Sequence, residues 1–257
     1  MADDTEVVRK VRKWLTEQGY PLEMSVAQTM RKSGFDVIQA EYYRDPEVDA
    51  PREIDVVASV QTVGPGVLAR VEFVIECKTS RDKPWVLFSS SAFRVARPAS
   101  VAQRTASGTG PKALFDLANR TEVQDLSIFS LGENIGYHVA QAFGQNTDKA
   151  YVGLMSAANA AKAAARRADQ RSSTDRRLVF FEFPVVVIDG ILLHCVLEDD
   201  NDIRFRMISD GTVAWRNPVA EFPITLIRVL TVDGLREKAP LWAEGSAKFL
   251  ASYMTKF

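Results

Sequence analysis

Two apolar stretches joined by a turn predict the centre of the fold: Glu53-Ile54-Asp55-Val56-Val57-Ala58-Ser59-Val60-Gln61 and Val71-Glu72-Phe73-Val74-Ile75-Glu76-Cys77-Lys78. Val63-Gly64-Pro65-Gly66 lies between them and is typical of a turn, so the two stretches are predicted to pair as a β-hairpin. Three ionisable residues, Asp55, Glu76 and Lys78, stand where a buried strand would be apolar. A charge at such a position is costly unless it is paired or binds a metal, so these residues are candidates for a functional site.

The geometry of the hairpin brings these residues together. Side chains alternate between the two faces of a strand, so Glu76 and Lys78 share one face and Cys77 points to the other. With the turn at residues 64–67, Asp55 lies opposite Glu76, and directly opposed residues have Cβ atoms about 5 Å apart. Two carboxylates that close repel each other, and a divalent cation removes the conflict. The pattern predicts a site for metal-assisted attack on a phosphodiester, with Lys78 holding a water or a phosphate oxygen.

Ile54-Asp55-Val56-Val57 followed by Val74-Ile75-Glu76-Cys77-Lys78 resembles the motif of the PD-(D/E)XK nuclease superfamily, which has the restriction-endonuclease-like fold. The resemblance implies that Asp55 and Glu76 bind Mg²⁺, with Mn²⁺ as a substitute. It also implies that the backbone carbonyl of Cys77 is a further ligand and that Lys78 positions or activates the attacking water. The likeness covers about the first third of the chain and departs from the family pattern in one respect, since the nearest preceding proline is Pro51.

The segment before the hairpin resembles the resolvase-like branch of the same superfamily. Glu23 opens a helical stretch that ends in Gly34-Phe35-Asp36-Val37, and in that branch a Glu so placed completes the metal site. Glu23 precedes Val26 and Ala27 by three and four residues, so on a helix it shares their buried face. A carboxylate in a first helical turn also gains from the helix dipole, which leaves Glu23 as either a metal ligand or a helix cap. The alternative for the whole motif is a surface ion pair of Lys78 with Glu53 or Glu76.

Length and composition predict one α/β domain over residues 1–257. The hydrophobic content of 46% is ample for a buried core. We expect a restriction-endonuclease-like core, with a central mixed β-sheet flanked by helices and an elaborated β-rich C-terminal half. The core motif spans 20–90, a helical segment about 110–171, and the β-rich region about 178–257.

Charge and cysteine usage indicate the cellular setting. The net charge is −1, so any nucleic-acid-binding surface must be a local patch. Both cysteines, Cys77 and Cys195, lie in apolar strand-like runs, which argues against a disulfide framework and fits the cytoplasm. No apolar run is long enough to span a bilayer, so a membrane partner is not expected.

The remaining elements are predicted from periodicity and breakers. Helices are expected at 5–18, 22–32, 112–119, 135–143, 149–170 and 235–253, the last interrupted near Pro240. Strands are expected at 35–43 and 222–232, and a polar loop at 79–84 precedes a short strand or turn at 85–88. Two further hairpins are expected, one joining 178–188 to 191–197 through Asp189-Gly190 and one joining 203–208 to 212–216.

Two basic regions stand out in a nearly neutral chain. The first helix has an apolar stripe of Val8, Val11, Trp14 and Leu15, and its basic residues are interpreted as a solvated face. Arginines cluster after the Ala-rich helix, at Arg166, Arg167, Arg171, Arg176 and Arg177. Arginine grips phosphate with two donors, so Arg166, Arg167, Arg176 and Arg177 are candidates for nucleic-acid binding. The alternative is a solvated helix end, where cations are favoured by the dipole.

Two classes of function follow. The first is a magnesium-dependent nuclease that hydrolyses phosphodiester bonds, in DNA by preference, in a setting such as restriction, repair or phage defense; cleavage of RNA would use the same residues. The second is a nucleic-acid-binding or assembly protein that keeps the fold without cleaving. The near-neutral charge favours the second class, and the intact set of Asp, Glu and Lys favours the first. The sequence leaves open whether the chain acts as a homodimer or with a partner subunit.

Overall fold

A computed structural model describes residues 5–45, 47–90, 105–117, 120–144, 148–198, 202–216 and 224–255. Its helices, in chain order, are α1 (Glu6–Gln18), α2 (Tyr20–Lys32), α3 (Gly110–Leu117), α4 (Thr121–Gln124), α5 (Lys149–Arg171) and α6 (Val232–Met254). Its strands are β1 (Asp36–Arg44), β2 (Pro51–Gly64), β3 (Val67–Ser90), β4 (Ile135–Gly136), β5 (His138–Gln141), β6 (Arg177–Leu197), β7 (Ile203–Ile208), β8 (Asp210–Arg216) and β9 (Ile224–Thr231).

The nine strands within the described ranges form one mixed sheet in the order β1-β2-β3-β6-β9-β8-β4, with β5 paired to β3 and β7 paired to β6. The first three strands are antiparallel, whereas β6 lies parallel to both β3 and β9. The prediction of an α/β fold with a central mixed sheet is confirmed. None of the helices within the described ranges is long and apolar enough to cross a membrane.

Helices cover both faces of the sheet. On one face, α2 and α6 pack against the apolar side chains of β2, β3 and β6, and the rings of Phe73 and Trp242 stack with centroids 4.6 Å apart. On the other face lies α5, whose alanines let it approach the strands closely. Ala157, Ala160 and Ala161 are buried there, so the Ala-rich helix packs on the sheet. Burial of these apolar side chains is the main favourable term in folding.

The elements before residue 79 follow the sequence prediction closely, although α2 begins at Tyr20, two residues earlier than expected. Gly19 adopts a left-handed conformation (φ 87°) and serves both as the C-cap of α1 and as the N-cap of α2. Gly34 (φ 98°) follows α2, and the N–H of Phe35 donates to the carbonyl of Met30, which closes the helix end in a Schellman-type arrangement. The chain can therefore enter β1 and the hairpin without a long connection.

The polar segment at residues 79–84 is not a loop, and Asp189-Gly190 is not a hairpin turn. β3 continues through this segment with a bulge between Ser80 and Trp85, and β6 runs beside it as one unbroken strand. A Cβ atom on Gly190 would lie 2.4 Å from the carbonyl oxygen of Ser80, so the glycine permits close approach of the two backbones. Asp189 accepts a hydrogen bond from Arg81 at 2.7 Å across the same pair of strands. The pairing of β6 with the bulged strand β3 therefore overrides the turn signal of Asp189-Gly190.

Three other predictions are corrected. The residues expected to form a helix at 135–143 form the two short strands β4 and β5 instead. β5 forms because it pairs with Trp85–Phe88 of β3 through backbone hydrogen bonds. The strands 203–208 and 212–216 do not pair with each other: β7 pairs with β6, and β8 with β9. Pro240 lies inside an unbroken α6. The helix expected at 112–119 spans Gly110–Leu117, and residues 118–119 lie outside the described ranges.

Candidate active site

The hairpin has the predicted register. β2 and β3 pair antiparallel from Val56 with Ile75 to Gly64 with Val67. Asp55 and Glu76 are the next residues on each strand beyond the last pair, so they lie side by side at the end of the ladder. Val57 and Val74, which belong to the same face, contact the alanines of α5. The predicted site therefore lies where the hairpin ladder ends, beside the N-terminal half of α5.

Each of the three ionisable residues of the hairpin contacts another part of the site. The N–H of Cys77 donates to Oδ2 of Asp55 at 2.6 Å. The Lys78 ammonium donates to Oε1 of Glu76 in a close ion pair. Oε2 of Glu76 is buried and has no hydrogen-bond partner among the described residues. The structure thus brings Asp55, Glu76 and Lys78 together and leaves one carboxylate oxygen unsatisfied.

Glu23 comes from a different element and joins the same site. It lies in the first turn of α2 and is half-buried, and no side-chain hydrogen bond caps the start of that helix. Burial, followed by repulsion from Asp55 and Glu53, raises the pKa of Glu23 to about 6. Because the shift arises from burial and from neighbouring carboxylates, Glu23 is coupled electrostatically to the hairpin site.

Burial, together with repulsion between carboxylates, raises the pKa values of the hairpin carboxylates. Burial, and then repulsion from Asp55, raises the pKa of Glu76 to about 7. Burial also raises the pKa of Asp55, against the opposing effects of the Cys77 N–H and Lys78. For Lys78, burial disfavours the ammonium, but attraction to Glu76 and Asp55 and the hydrogen bond to Glu76 outweigh it, so its pKa is raised. Lys78 therefore offsets part of the charge of three crowded carboxylates, those of Glu23, Asp55 and Glu76.

The site opens into a cleft of about 370 Å³ between α2, the end of the hairpin and the start of α5. Asp55, Lys78 and Glu23 line it, while Glu76 lies beneath with only 5% of its surface exposed. Lys149, at the start of α5, also lines the cleft, and its ammonium donates to the carbonyl of Thr79 at 3.4 Å. The cleft is thus wide enough for a small polar group and carries both carboxylates and lysines.

Lys149 was not anticipated from the sequence. Its helix could be placed from the Asp148 N-cap, whose carboxylate accepts from the N–H of Ala150 at 2.9 Å. Nothing local indicates that the start of α5 lies over the hairpin. Gly153 contributes to that contact, because a Cβ atom there would lie 3.4 Å from Cγ of Lys78. The small residue leaves room for the Lys78 side chain beneath the helix.

The donor set suits a hard cation, since it consists of carboxylate oxygens and the backbone of Cys77. Asp55 and Glu76 each already engage one oxygen, with the Cys77 N–H and Lys78 respectively. Within the described ranges, no three His, Cys, Asp or Glu side chains form a ready-made group for a metal ion. The unsatisfied Oε2 of Glu76 is the one observation at this site that calls for a further partner.

The arginine cluster lies apart from the cleft, around the C-terminal half of α5. Arg167 pairs with Glu41 of β1 at 2.7 Å and is half-buried. Arg166 is exposed and lines a separate depression beside Tyr42 and Arg44. Arg176 is exposed in the connection to β6, and Arg177 begins that strand. The structure therefore gives Arg167 an internal role and leaves Arg166 and Arg176 at the surface.

Comparison of the chain with protein-family models, with curated proteins and with solved structures returns no match.

Proposed function

We propose that the protein is a magnesium-dependent nuclease with a restriction-endonuclease-like core, acting on phosphodiester bonds of DNA. The observation that supports it most is the buried Oε2 of Glu76, which has no partner in the described part of the chain and is set among Asp55, Glu23 and Lys78 at an open cleft. A buried anionic oxygen without a partner is costly, and repulsion from Asp55 adds to the cost. A divalent cation would remove both penalties. An ion pair with a purely structural role gives no reason for burying the second oxygen of Glu76.

Asp55, Glu76 and the Cys77 carbonyl would hold Mg²⁺, or Mn²⁺ in its place, with Glu23 at the rim of the site. Magnesium favours oxygen ligands and keeps several waters, which fits a site with few protein donors. When bound, it would supply Lewis-acid polarisation of a phosphoryl oxygen and a water of lowered pKa. Lys78 would orient the attacking water and stabilise charge on the phosphate, and Glu76 would hold that ammonium in place.

A non-cleaving nucleic-acid-binding or assembly protein that keeps the fold is the second candidate. The small net charge of the chain favours the assembly role, because a chain of little net charge does not attract a polyanion over its whole surface. The two functions differ in the need for Lys78: a binding protein would tolerate its neutralisation inside the cleft, whereas hydrolysis would not.

The test is incubation of the protein with supercoiled plasmid, linear single-stranded DNA and RNA, each with Mg²⁺, Mn²⁺ or EDTA. We expect cleavage that requires the divalent ion and falls by about 10²- to 10⁴-fold in Asp55→Asn, Glu76→Gln and Lys78→Met, the range for loss of a positioned catalytic group. Glu244→Gln, an exposed carboxylate on α6, is the matched control and should cleave normally. Full activity of Glu76→Gln would rule out the assignment.

A further inference from the structure

A second pocket lies on the face of the sheet that α6 covers, opposite the face on which Glu76 lies. Arg228 of β9 lines this pocket, and its neighbour across the ladder, Val185, belongs to the core beneath α6. Glu76 pairs in register with Val186, which belongs to the core beneath α5. The pocket has a volume of about 250 Å³ and is separate from the candidate active site.

The guanidinium of Arg228 is buried in this pocket with part of its hydrogen-bonding capacity unused. The residue is only 5% exposed. Its Nη2 donates to the carbonyls of Ile128 at 2.5 Å and Ser130 at 3.2 Å. Its Nε and Nη1 have no acceptor in the described part of the chain, and neither atom is fully enclosed by protein. Both donors can therefore be reached from the pocket that Arg228 lines.

The positive charge of Arg228 also lacks an ion-pair partner among the described residues. Burial lowers the pKa of Arg228 to about 10, and attraction to Asp210 opposes this shift. Asp210 forms its ion pair with Lys238 instead, with Oδ2 and Nζ 3.4 Å apart. Asp125 also lines the pocket but is exposed, so its charge is screened. A buried cation without an anion is costly, and an anion bound in the pocket would remove that cost.

The apolar wall of the pocket indicates the rest of the ligand. This wall consists of Leu230, Leu241 and Trp242. The guanidinium carbon of Arg228 lies 5.7 Å from the centroid of the Trp242 ring, so the charge and the wall are close together. Pockets for drug-sized ligands have volumes of about 300 Å³ or more, so this pocket suits a smaller molecule.

We propose that this pocket binds a small organic oxyanion, a carboxylate or a phosphate monoester, whose charged group pairs with Arg228. Its oxygens accept hydrogen bonds from Nε and Nη1, and its apolar body lies against the apolar wall. The ion pair of Asp210 with Lys238 reduces the repulsion between Asp210 and the ligand. The inference goes beyond the proposed nuclease function and does not depend on it, because the two sites share no residue.

The test is NMR titration of the ¹⁵N-labelled protein with benzoate, phenyl phosphate or the neutral benzyl alcohol, in metal-free Tris chloride of constant ionic strength. The indole N–H of Trp242, assigned with Trp242→Phe, gives a signal at the pocket itself. At least one of the two anions should shift this resonance saturably, and the tighter one distinguishes a carboxylate from a phosphate ligand. Benzyl alcohol should bind about 10- to 100-fold more weakly, the range for one charge-assisted hydrogen bond.

Ser130→Asp is the most informative variant. Ser130 is exposed and lines the pocket, and its carbonyl already accepts from Arg228. The new carboxylate would supply an anion from within the chain, so anion binding should weaken at least about ten-fold in a folded protein. Arg228→Met removes the charge and should lose binding to a similar extent; Ser130→Asp is decisive if that variant does not fold. Ser173→Asp adds the same charge at an exposed serine outside the pocket, so it is the matched control and should bind normally.

Equal affinity for benzyl alcohol and the tighter anion would overturn the inference, because apolar contact would then account for binding. Unchanged anion binding by Ser130→Asp would overturn it as well, as would the absence of a shift with both anions. Asp210→Asn tests the alternative that Asp210 already serves as the counter-ion of Arg228. Under the proposal this variant binds the anion at least as tightly as wild type, and binding by the variant alone would identify Arg228 and Asp210 as a structural pair.

Discussion

Replacing Glu76 by Gln should stabilise the metal-free protein in a strongly pH-dependent way. The side chain is buried, and its pKa rises from 4.5 to about 7, mainly through burial and then through repulsion from Asp55. Between these two values the folded state binds more protons than the unfolded state, so stability falls as the pH rises. Gln has the same shape, carries no charge and can still accept a hydrogen bond from Lys78.

The size of the effect follows from the linkage relation. One pKa unit corresponds to about 1.4 kcal/mol, so ionising Glu76 should cost roughly 3 kcal/mol of unfolding free energy at about pH 8 and less than about 1 kcal/mol at about pH 5. Urea unfolding in EDTA at both pH values measures the difference between wild type and variant. We expect Glu76→Gln to be more stable than wild type at the higher pH and nearly equal to it at the lower.

Magnesium should reverse the order of stability of the wild type and Glu76→Gln. A ligand that binds only the folded state raises its stability with concentration, so Mg²⁺ should stabilise the wild type and leave Glu76→Gln unchanged. Glu244→Gln on α6 controls for the loss of a surface charge. If Glu76→Gln is no more stable than wild type at about pH 8 in EDTA, ionised Glu76 does not lower the unfolding free energy. The argument that Glu76 needs a metal ion would then be wrong.

Three further predictions concern the rim, the basic surface and the sheet. If Glu23 helps to hold the metal, Glu23→Gln should lower metal affinity or activity roughly 10- to 100-fold. Cleavage measured against Mg²⁺ concentration should then give a curve shifted to higher concentration. An unshifted curve at full rate would make Glu23 a helix cap. The double variant Arg166→Ala, Arg176→Ala should reduce the slope of log affinity against log salt by about two if both contact phosphates, and a constant slope would identify them as solvated side chains. Gly190→Ala should lower the unfolding free energy by about 1 to 3 kcal/mol, measured by urea unfolding, because the new Cβ atom meets the Ser80 backbone; wild-type stability would show that β3 and β6 can separate there.

Much of the candidate site could be predicted from local sequence. The register of β2 and β3 depends only on the turn at Pro65 and Gly66 and on the two-residue period of a strand, so the placement of Asp55 beside Glu76 follows from nearby residues. The start of α5 was equally local, because Asp148 caps it and alanine favours it. Whether these residues carry out hydrolysis stays a prediction.

The errors occurred where distant strands compete with local signals. Asp189 and Gly190 have the composition of a hairpin turn, but β6 is paired along its length with β3, and this non-local ladder keeps it straight. Residues 138–141 likewise form strand β5 and not a helix, because they pair with β3. β-structure is decided by cross-strand neighbours, which a local pattern does not contain.

The sequence by itself determined the hairpin, its register and the three ionisable residues on it, because these depend on contacts between residues close in the chain. Only the tertiary structure brought Lys149 and Gly153 over Lys78, since that requires α5 to lie on one particular face of the sheet. It also set Glu72 beside Glu182, a second buried carboxyl pair that neither strand indicates alone. Such contacts join segments far apart in the chain, and packing of the whole core selects them rather than any local preference.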